Sequence, residues 1–479
     1  MRFYPSLALL ILLNLVIKPV WIFAIDRNVQ NTVGLTEYGL YFSLYNLSIL
    51  FSFLLDWGFT SYINRELAFN SDNTYSSKLF IKYKLILSLV YIAAVFFFAL
   101  ITGITQWDIV AGLVLLQIFT SFFLFFRAGI TASQDFRTDA WLSITDKTLM
   151  ITLCGIMLLY PAIVGPVDIH RFVWLQVGCM AFATAMSLYL QYQRNSVWAP
   201  TNTSSVSFKK IFRQAWPYAL IILLMSVHYR LDGFLLERLL PDGKMQAGVY
   251  ASAYRLLDAA NMAGFLVASF LLPMVARRVG EKQEIETVVM NVRHLLMIYS
   301  LGIACIGIFA APWLNQLLYN FTSDNTVAVL QYCLPAIVGY SLVHIYGTVM
   351  TATGNIRDFC TITAGAVAIN ILLNLLLIPK AGAKGACIAA LASQYFCGVA
   401  TMLYVNRKLR VTIHLSSLLL YFIIAVILAA MLYWGQQLPV KMIYLVSFVA
   451  ITAIILMIVT KLFRPSVWLN FFPKSQTGT

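Results

Sequence analysis

A chain that presents one apolar run of about twenty residues after another has few folds open to it, because that is the length of helix needed to cross a bilayer. The stretch "LLLYFIIAVILAAMLYW" at 418–434 carries no charge at all, and runs of its kind recur from one end of the chain to the other. In lipid the backbone must satisfy its own hydrogen bonds, which leaves only helices or a closed barrel. Barrel strands alternate between apolar and polar residues over about ten positions, and these runs do not alternate. Hydrophobic residues make up 61% of the 479 and charged residues only 11%, against roughly 25% charged in a typical soluble domain. The chain therefore reads as an all-α polytopic membrane protein.

Apolar windows place about fourteen transmembrane helices, near 5–25, 38–62, 80–101, 109–131, 143–160, 171–192, 214–238, 246–272, 293–314, 327–351, 358–378, 385–405, 413–434 and 441–460. The first run is long enough to imitate a signal peptide. It lacks a small-residue cleavage site and is interrupted by Lys18-Pro19, so it reads as the first span. The seven cysteines lie in apolar surroundings without CxxC or Cys/His spacing. They read as small apolar fillers, with no disulfide framework and no metal site expected.

Orientation follows from the loops. Most of the 33 Lys and Arg residues fall in one set of alternate loops, for example Lys209, Lys210 and Arg213, then Arg277, Arg278 and Lys282, then Arg407, Lys408 and Arg410. By the positive-inside rule these loops and both termini are cytoplasmic. The formal charge of +14 is thereby spread over membrane-flanking loops, which gives no reason to expect a nucleic-acid partner.

Two pairs of segments repeat. "YGLYFSLYNL" at 38–47 matches "AGVYASAYRL" at 247–256 in Gly, Tyr, Ser, Tyr and Leu, and "TASQDFR" at 131–137 matches "TATGNIR" at 351–357. The pairs keep their order and their topology. They imply two six-helix lobes related by a pseudo-twofold along the membrane normal, a recognised transporter plan. The expected division is an N-lobe at 1–192, a cytoplasmic linker at 193–213, a C-lobe at 214–405, and two further spans with a cytoplasmic tail at 406–479.

Outside the loops three cations remain, Lys18, Arg230 and Arg255, accompanied by Asp56, His228, Asp232 and Asp258. A charge at membrane depth costs about 2.5–3.5 kcal/mol on insertion scales and usually faces a cavity or a partner. At 1.5 Å per residue the three cations lie between the midplane and the outer third of the bilayer core. His228 and Asp232 share a helix face, and Arg255 can pair with Asp258. Arg230 offers the planar donor fork that suits phosphate. Pro19 is expected to kink the first span and free a carbonyl beside Lys18. Asp56 in "LLDWGF" sits near the inner end of its helix and reads as a cytoplasmic-end polar site. The pattern points to an anionic ligand held by Lys18, Arg230 and Arg255. Asp232, Asp258 and His228 are candidates for pairing or for proton or sodium coupling. No catalytic residue, metal ligand or cofactor is expected.

Four stretches carry a family resemblance: "GLTEYGLYFSLYNLSILFSFLLDWGF", "YRLDGFLLERLLPDGKMQAGVYASAYRLLDAANM", "TATGNIRDF" and "IPKAGAKGACIAALASQ". In these the chain resembles the polysaccharide transporters of the multidrug/oligosaccharidyl-lipid/polysaccharide exporter superfamily, the Wzx-type O-antigen and oligosaccharide flippases. The resemblance implies a flippase of the bacterial inner membrane. Its substrate would be a polyprenyl-pyrophosphate-linked glycan for O-antigen, capsule or exopolysaccharide. A polysaccharide polymerase and a chain-length regulator would be its partners, beside the lipid bilayer. It also implies the cavity cations as the site of the pyrophosphate or of acidic sugars. Two other readings stay open. A cation-coupled multidrug antiporter of the same fold would need an acidic binder, whereas three cations here face only Asp232 and Asp258. A membrane-embedded polymerase or glycosyltransferase would need a sizeable outer loop, and those near 26–37 and 161–170 are small.

Overall fold

The computed structural model describes residues 3–58, 77–132, 135–193 and 208–460. Among them there is no strand. The elements are α1 (Phe3–Val20), a π-helical turn (Trp21–Asp26), α2 (Arg27–Leu50), α3 (Phe53–Asp56), α4 (Ser77–Ile101), α5 (Trp107–Ala132), α6 (Phe136–Leu159), α7 (Pro161–Val164), α8 (Ile169–Gln193), α9 (Phe208–Leu239), α10 (Gly243–Gly280), α11 (Glu286–Phe309), α12 (Ala311–Leu318), α13 (Asp324–Cys333), α14 (Ala336–Ala352), α15 (Ile356–Leu409), α16 (Leu415–Gly435) and α17 (Met442–Val459).

Twelve helical segments among the described residues are long and apolar enough to cross a membrane. Two of them are double length, and each is broken once, at Gly34 (φ 83°, ψ 171°) and at Gly382 (φ 56°, ψ −136°). Both conformations are open to glycine and closed to L side chains. The two breaks turn the twelve segments into the fourteen crossings expected from the sequence. The outer loop expected at 26–37 is helical except at Gly34. Large apolar side chains such as Leu159, Ile163 and Leu415, 76–83% exposed, face outward as they do where lipid is the solvent.

The fifth span departs from expectation. It begins at Phe136, seven residues before the apolar window at 143, with Asp135 capping it by accepting from the Thr138 amide at 3.0 Å. Its first turns carry Asp139, upstream of the apolar window, and Ser143, Asp146 and Lys147 at the window's edge. Asp139, Ser143 and Asp146 are buried on the helix face turned into the bundle.

The chain divides into two compact units, one of residues 1–251 with 378–383, the other of 252–377 with 384–479. In the first, α1 packs on α6, α5 on α8, and α2 on α9. Tyr38 and Tyr41 are buried there; the Tyr38 hydroxyl donates to Asp26 at 2.7 Å, and Tyr41 pairs with Gln176 at 3.1–3.4 Å. The two repeat motifs meet in this unit. A Cβ on Gly39 would fall on the Lys244 carbonyl and 2.5 Å from the Gly248 amide nitrogen, while a Cβ on Gly248 would fall on the Leu35 carbonyl.

In the second unit α11 is the central helix and packs on α14, α16 and α17. Arg293 is 1% exposed and reaches the Tyr346 hydroxyl and the Thr412 carbonyl at 3.5 and 3.3 Å. His294 pairs with Tyr421 beside it. All seven cysteines are buried, and none is in a disulfide. The expected linker at 193–213 lies mostly outside the described residues.

Candidate functional site: a cation-lined cavity in the first unit

Lys18 is the last residue but two of α1, and Pro19 follows it. Proline cannot donate its backbone hydrogen bond, so helical winding is disturbed on either side of it. The outcome is a change of pitch: six residues, Trp21–Asp26, wind as a π-helical turn before α-helix resumes at Arg27. Lys18 does not cap the freed carbonyl; it makes no hydrogen bond or ion pair among the described residues. Instead it lines a cavity of about 250 Å³ inside the first unit.

The walls come from four further helices: α2 supplies Tyr45, α5 supplies Gln117, Thr120 and Arg127, α6 supplies Ser143, Asp146 and Lys147, and α8 supplies Gln176. The wall positions on α5 and α6 recur at three- and four-residue spacing, so each helix turns one face to the cavity. Ser143 is held by Asn14, whose amide donates to its hydroxyl at 2.8 Å. Gln176 is held by Tyr41, and Gln117 donates to Ser48 at 3.3 Å. These neutral polar residues are thus committed to the scaffold.

The charges are arranged differently. Arg127 uses Nε to bind Asp139 at 2.7 Å. Its two Nη groups make no hydrogen bond among the described residues. Lys147 binds Asp146 at 2.9 Å and lies over the Trp21 ring at 5.2 Å. Lys18 lies in the electrostatic field of Asp146, Arg127 and Lys147 together. Three cations therefore face Asp146 on the wall and Asp139 behind it, and one positive charge is in excess. Holding it at membrane depth costs about 2.5–3.5 kcal/mol on insertion scales.

The other candidates fall elsewhere. His228 and Asp232 lie on α9, each 1% exposed, and Asp232 accepts from the Tyr250 hydroxyl at 3.0 Å. Arg230, between them, is half-buried and does not line the cavity. Arg255 and Asp258 belong to the second unit and pair across one turn of α10 at 3.8 Å. Asp56 binds Lys84 at 3.0 Å; Lys84 is 1% exposed, also donates to Ser121 at 2.8 Å, and lies over Phe122 and Phe125 at 5.8 and 5.4 Å. Of the three cations expected from the sequence, this cavity takes Lys18 and joins it to Arg127 and Lys147, which read as loop residues. Arg127 and Lys147 fall within the apolar windows 109–131 and 143–160 but count with the flanking loops; the Asp135 cap, which starts the fifth span at Phe136, puts Lys147 about 16 Å along it.

Comparison with known proteins agrees with this architecture. The lipid II flippase MurJ, in an inward closed conformation, superposes with a TM-score of 0.71 at 12% identity over 94% of this chain and 97% of its own. A MOP superfamily transporter from Pyrococcus furiosus gives 0.60 at 12% identity, covering 85% and 94%. The Vibrio cholerae MATE transporter VcmN gives 0.58 at 15% identity, covering 86% and 96%. These likenesses establish the fold, an all-helical multi-pass membrane architecture. No curated protein matches the sequence. The model of the polysaccharide biosynthesis protein family matches residues 6–279, more than half of the chain. The chain is a member of the polysaccharide biosynthesis protein family.

Proposed function

We propose that the protein is a flippase that moves a polyprenyl-pyrophosphate-linked oligosaccharide from the cytoplasmic to the periplasmic leaflet of the bacterial inner membrane. The product feeds a surface polysaccharide, whether O-antigen, capsule or exopolysaccharide. The observation that carries this reading is Lys18, a cation among membrane-spanning helices that has no protein partner among the described residues and faces a cavity beside Arg127. Family membership and the likeness to MurJ support the class of substrate. The glycan head is bound within the protein while the prenyl tail stays in lipid, and alternating access carries the head across. Lys18 binds the pyrophosphate or acidic sugars in the cavity, and Arg230 and Arg255, which lie outside it, contribute as separate contacts to the substrate; Asp232, Asp258 and His228 serve pairing or coupling to protons or sodium. Both termini are cytoplasmic by the loop charges. A polysaccharide polymerase and a chain-length regulator act on the product. The protein binds and moves its substrate and is not an enzyme.

The likeness to VcmN keeps a second reading in view, a cation-coupled multidrug antiporter. An excess of positive charge in the cavity repels the cationic compounds such a transporter would take. Binding-pocket polarity varies within this fold: the Pyrococcus furiosus transporter is itself reported with a reversed polarity and a suggested different function.

The test is made in cells lacking the gene, with polyprenyl-linked glycans radiolabelled. Intermediates should accumulate on the cytoplasmic leaflet and clear on complementation by wild type, and Arg230→Ala should fail where Arg230→Lys partly succeeds. No accumulation, with raised sensitivity to cationic dyes, sinks the flippase reading in favour of the antiporter.

A further inference from the structure

We propose that the cavity of the first unit is a discrete site for a single phosphoryl-sized oxyanion, held between the Lys18 ammonium and the free edge of the Arg127 guanidinium. This rests on the flippase reading only for the source of the oxyanion.

Size comes first. The cavity holds about 250 Å³, below the roughly 300–1,000 Å³ of sites for drug-sized ligands. An oxyanion with a few waters fits.

Charge comes next. Asp139 takes only Nε of Arg127, which fixes the plane of the guanidinium and leaves the Nη edge to donate. That edge is the fork that matches phosphate oxygens. Lys18 adds a point charge with three donors. Asp146 already has Lys147 as a partner, so the surplus positive charge resides at Lys18 and calls for one negative ligand. Neutral donors on the wall do not compete, since Gln117, Ser143 and Gln176 are engaged with Ser48, Asn14 and Tyr41. The rest of the wall, including Leu116, Phe123 and Met180, is apolar and lowers the local dielectric, which strengthens the ionic contacts.

The arrangement also fits its place in the fold. Lys18 stands three residues before the π-helical turn that begins at Trp21, and such turns occur frequently at functional sites. A ligand that bridges Lys18 on α1 and Arg127 on α5 ties two helices of one bundle together across the cavity.

The experiment uses the full-length protein in lipid nanodiscs. Thermal unfolding is followed while inorganic phosphate is titrated against chloride of equal ionic strength. Phosphate should raise the midpoint saturably. Lys18→Met and Arg127→Met should each weaken that response at least tenfold, Lys18→Arg should retain it, and Arg357→Met, at an exposed position, should leave it unchanged. Lys18→Arg and the phosphate-free midpoints separate loss of binding from loss of folding. Geranyl pyrophosphate then identifies the source. Competition with phosphate at this site assigns the oxyanion to the lipid-linked substrate; undiminished phosphate binding assigns a free anion, and both outcomes keep the site. Equal responses to phosphate and chloride, or wild-type responses in both Met variants, overturn it. Phosphate binding without export in cells would sink the flippase reading alone, and export without phosphate binding would sink this proposal alone.

Discussion

Gly39 and Gly248 occupy equivalent places in the internal repeat and pack reciprocally, each with its missing side chain directed at the carbonyl four residues before the other, that of Lys244 and that of Leu35. Gln30 adds a hydrogen bond to the Gly248 carbonyl at 3.0 Å. The obstructing atoms are backbone and cannot rotate away. Gly39→Ala and Gly248→Ala should each cost about 1–3 kcal/mol, the usual range for overpacking. Once one methyl has opened the crossing the second meets less resistance, so the double variant should cost clearly less than the sum. Thermal unfolding in nanodiscs checks this, and strict additivity contradicts a shared contact.

Lys84 is buried and Asp56 half-buried in their ion pair, and removing Asp56 strands the buried lysine. Asp56→Asn should destabilise the protein by about 3–5 kcal/mol, and Lys84→Met with Asp56→Asn together by markedly less. Equal losses in the single and double variants would show that Asp56 acts through something other than Lys84.

The Tyr250 hydroxyl donates to the buried Asp232. A hydrogen bond to a charged group is worth about 1.5–3 kcal/mol, and Tyr250→Phe should lose stability in that range. Should Asp232 couple transport to protons, Asp232→Asn removes the pH dependence of export, whereas Tyr250→Phe shifts it and keeps it. A pH profile unchanged in both variants excludes Asp232 from coupling.

A substrate carrying two negative charges outward from an inside-negative cytoplasm gains about 4.6 kcal/mol per 100 mV. In proteoliposomes with a potassium-clamped potential, flipping of a fluorescent lipid-linked glycan should accelerate as the interior equivalent to the cytoplasm becomes more negative. A rate indifferent to potential would mean that the charge crosses neutralised.

The number and kind of crossings were legible in the chain, because hydropathy over twenty residues is a local property and lipid leaves no alternative to the helix. The close packing of Gly39 and Gly248 joins two segments that the sequence matches at one offset with the tyrosines around them. Lys18 was legible as a charge inside an apolar run. Arg127 and Lys147 were not. Lys147 sits among Asp139, Ser143 and Asp146 and Arg127 near the end of the preceding helix, positions that count with the loops, and the polarity is tolerated because the bundle turns it inward onto Asn14, Arg127 and the cavity. Which polar residues face one another depends on helix rotation and packing between segments more than a hundred residues apart, and no local pattern encodes it. The sequence by itself determined that this protein spans the membrane many times and carries charge there; the tertiary structure decided which charges are paired off and which one is left to face the cavity.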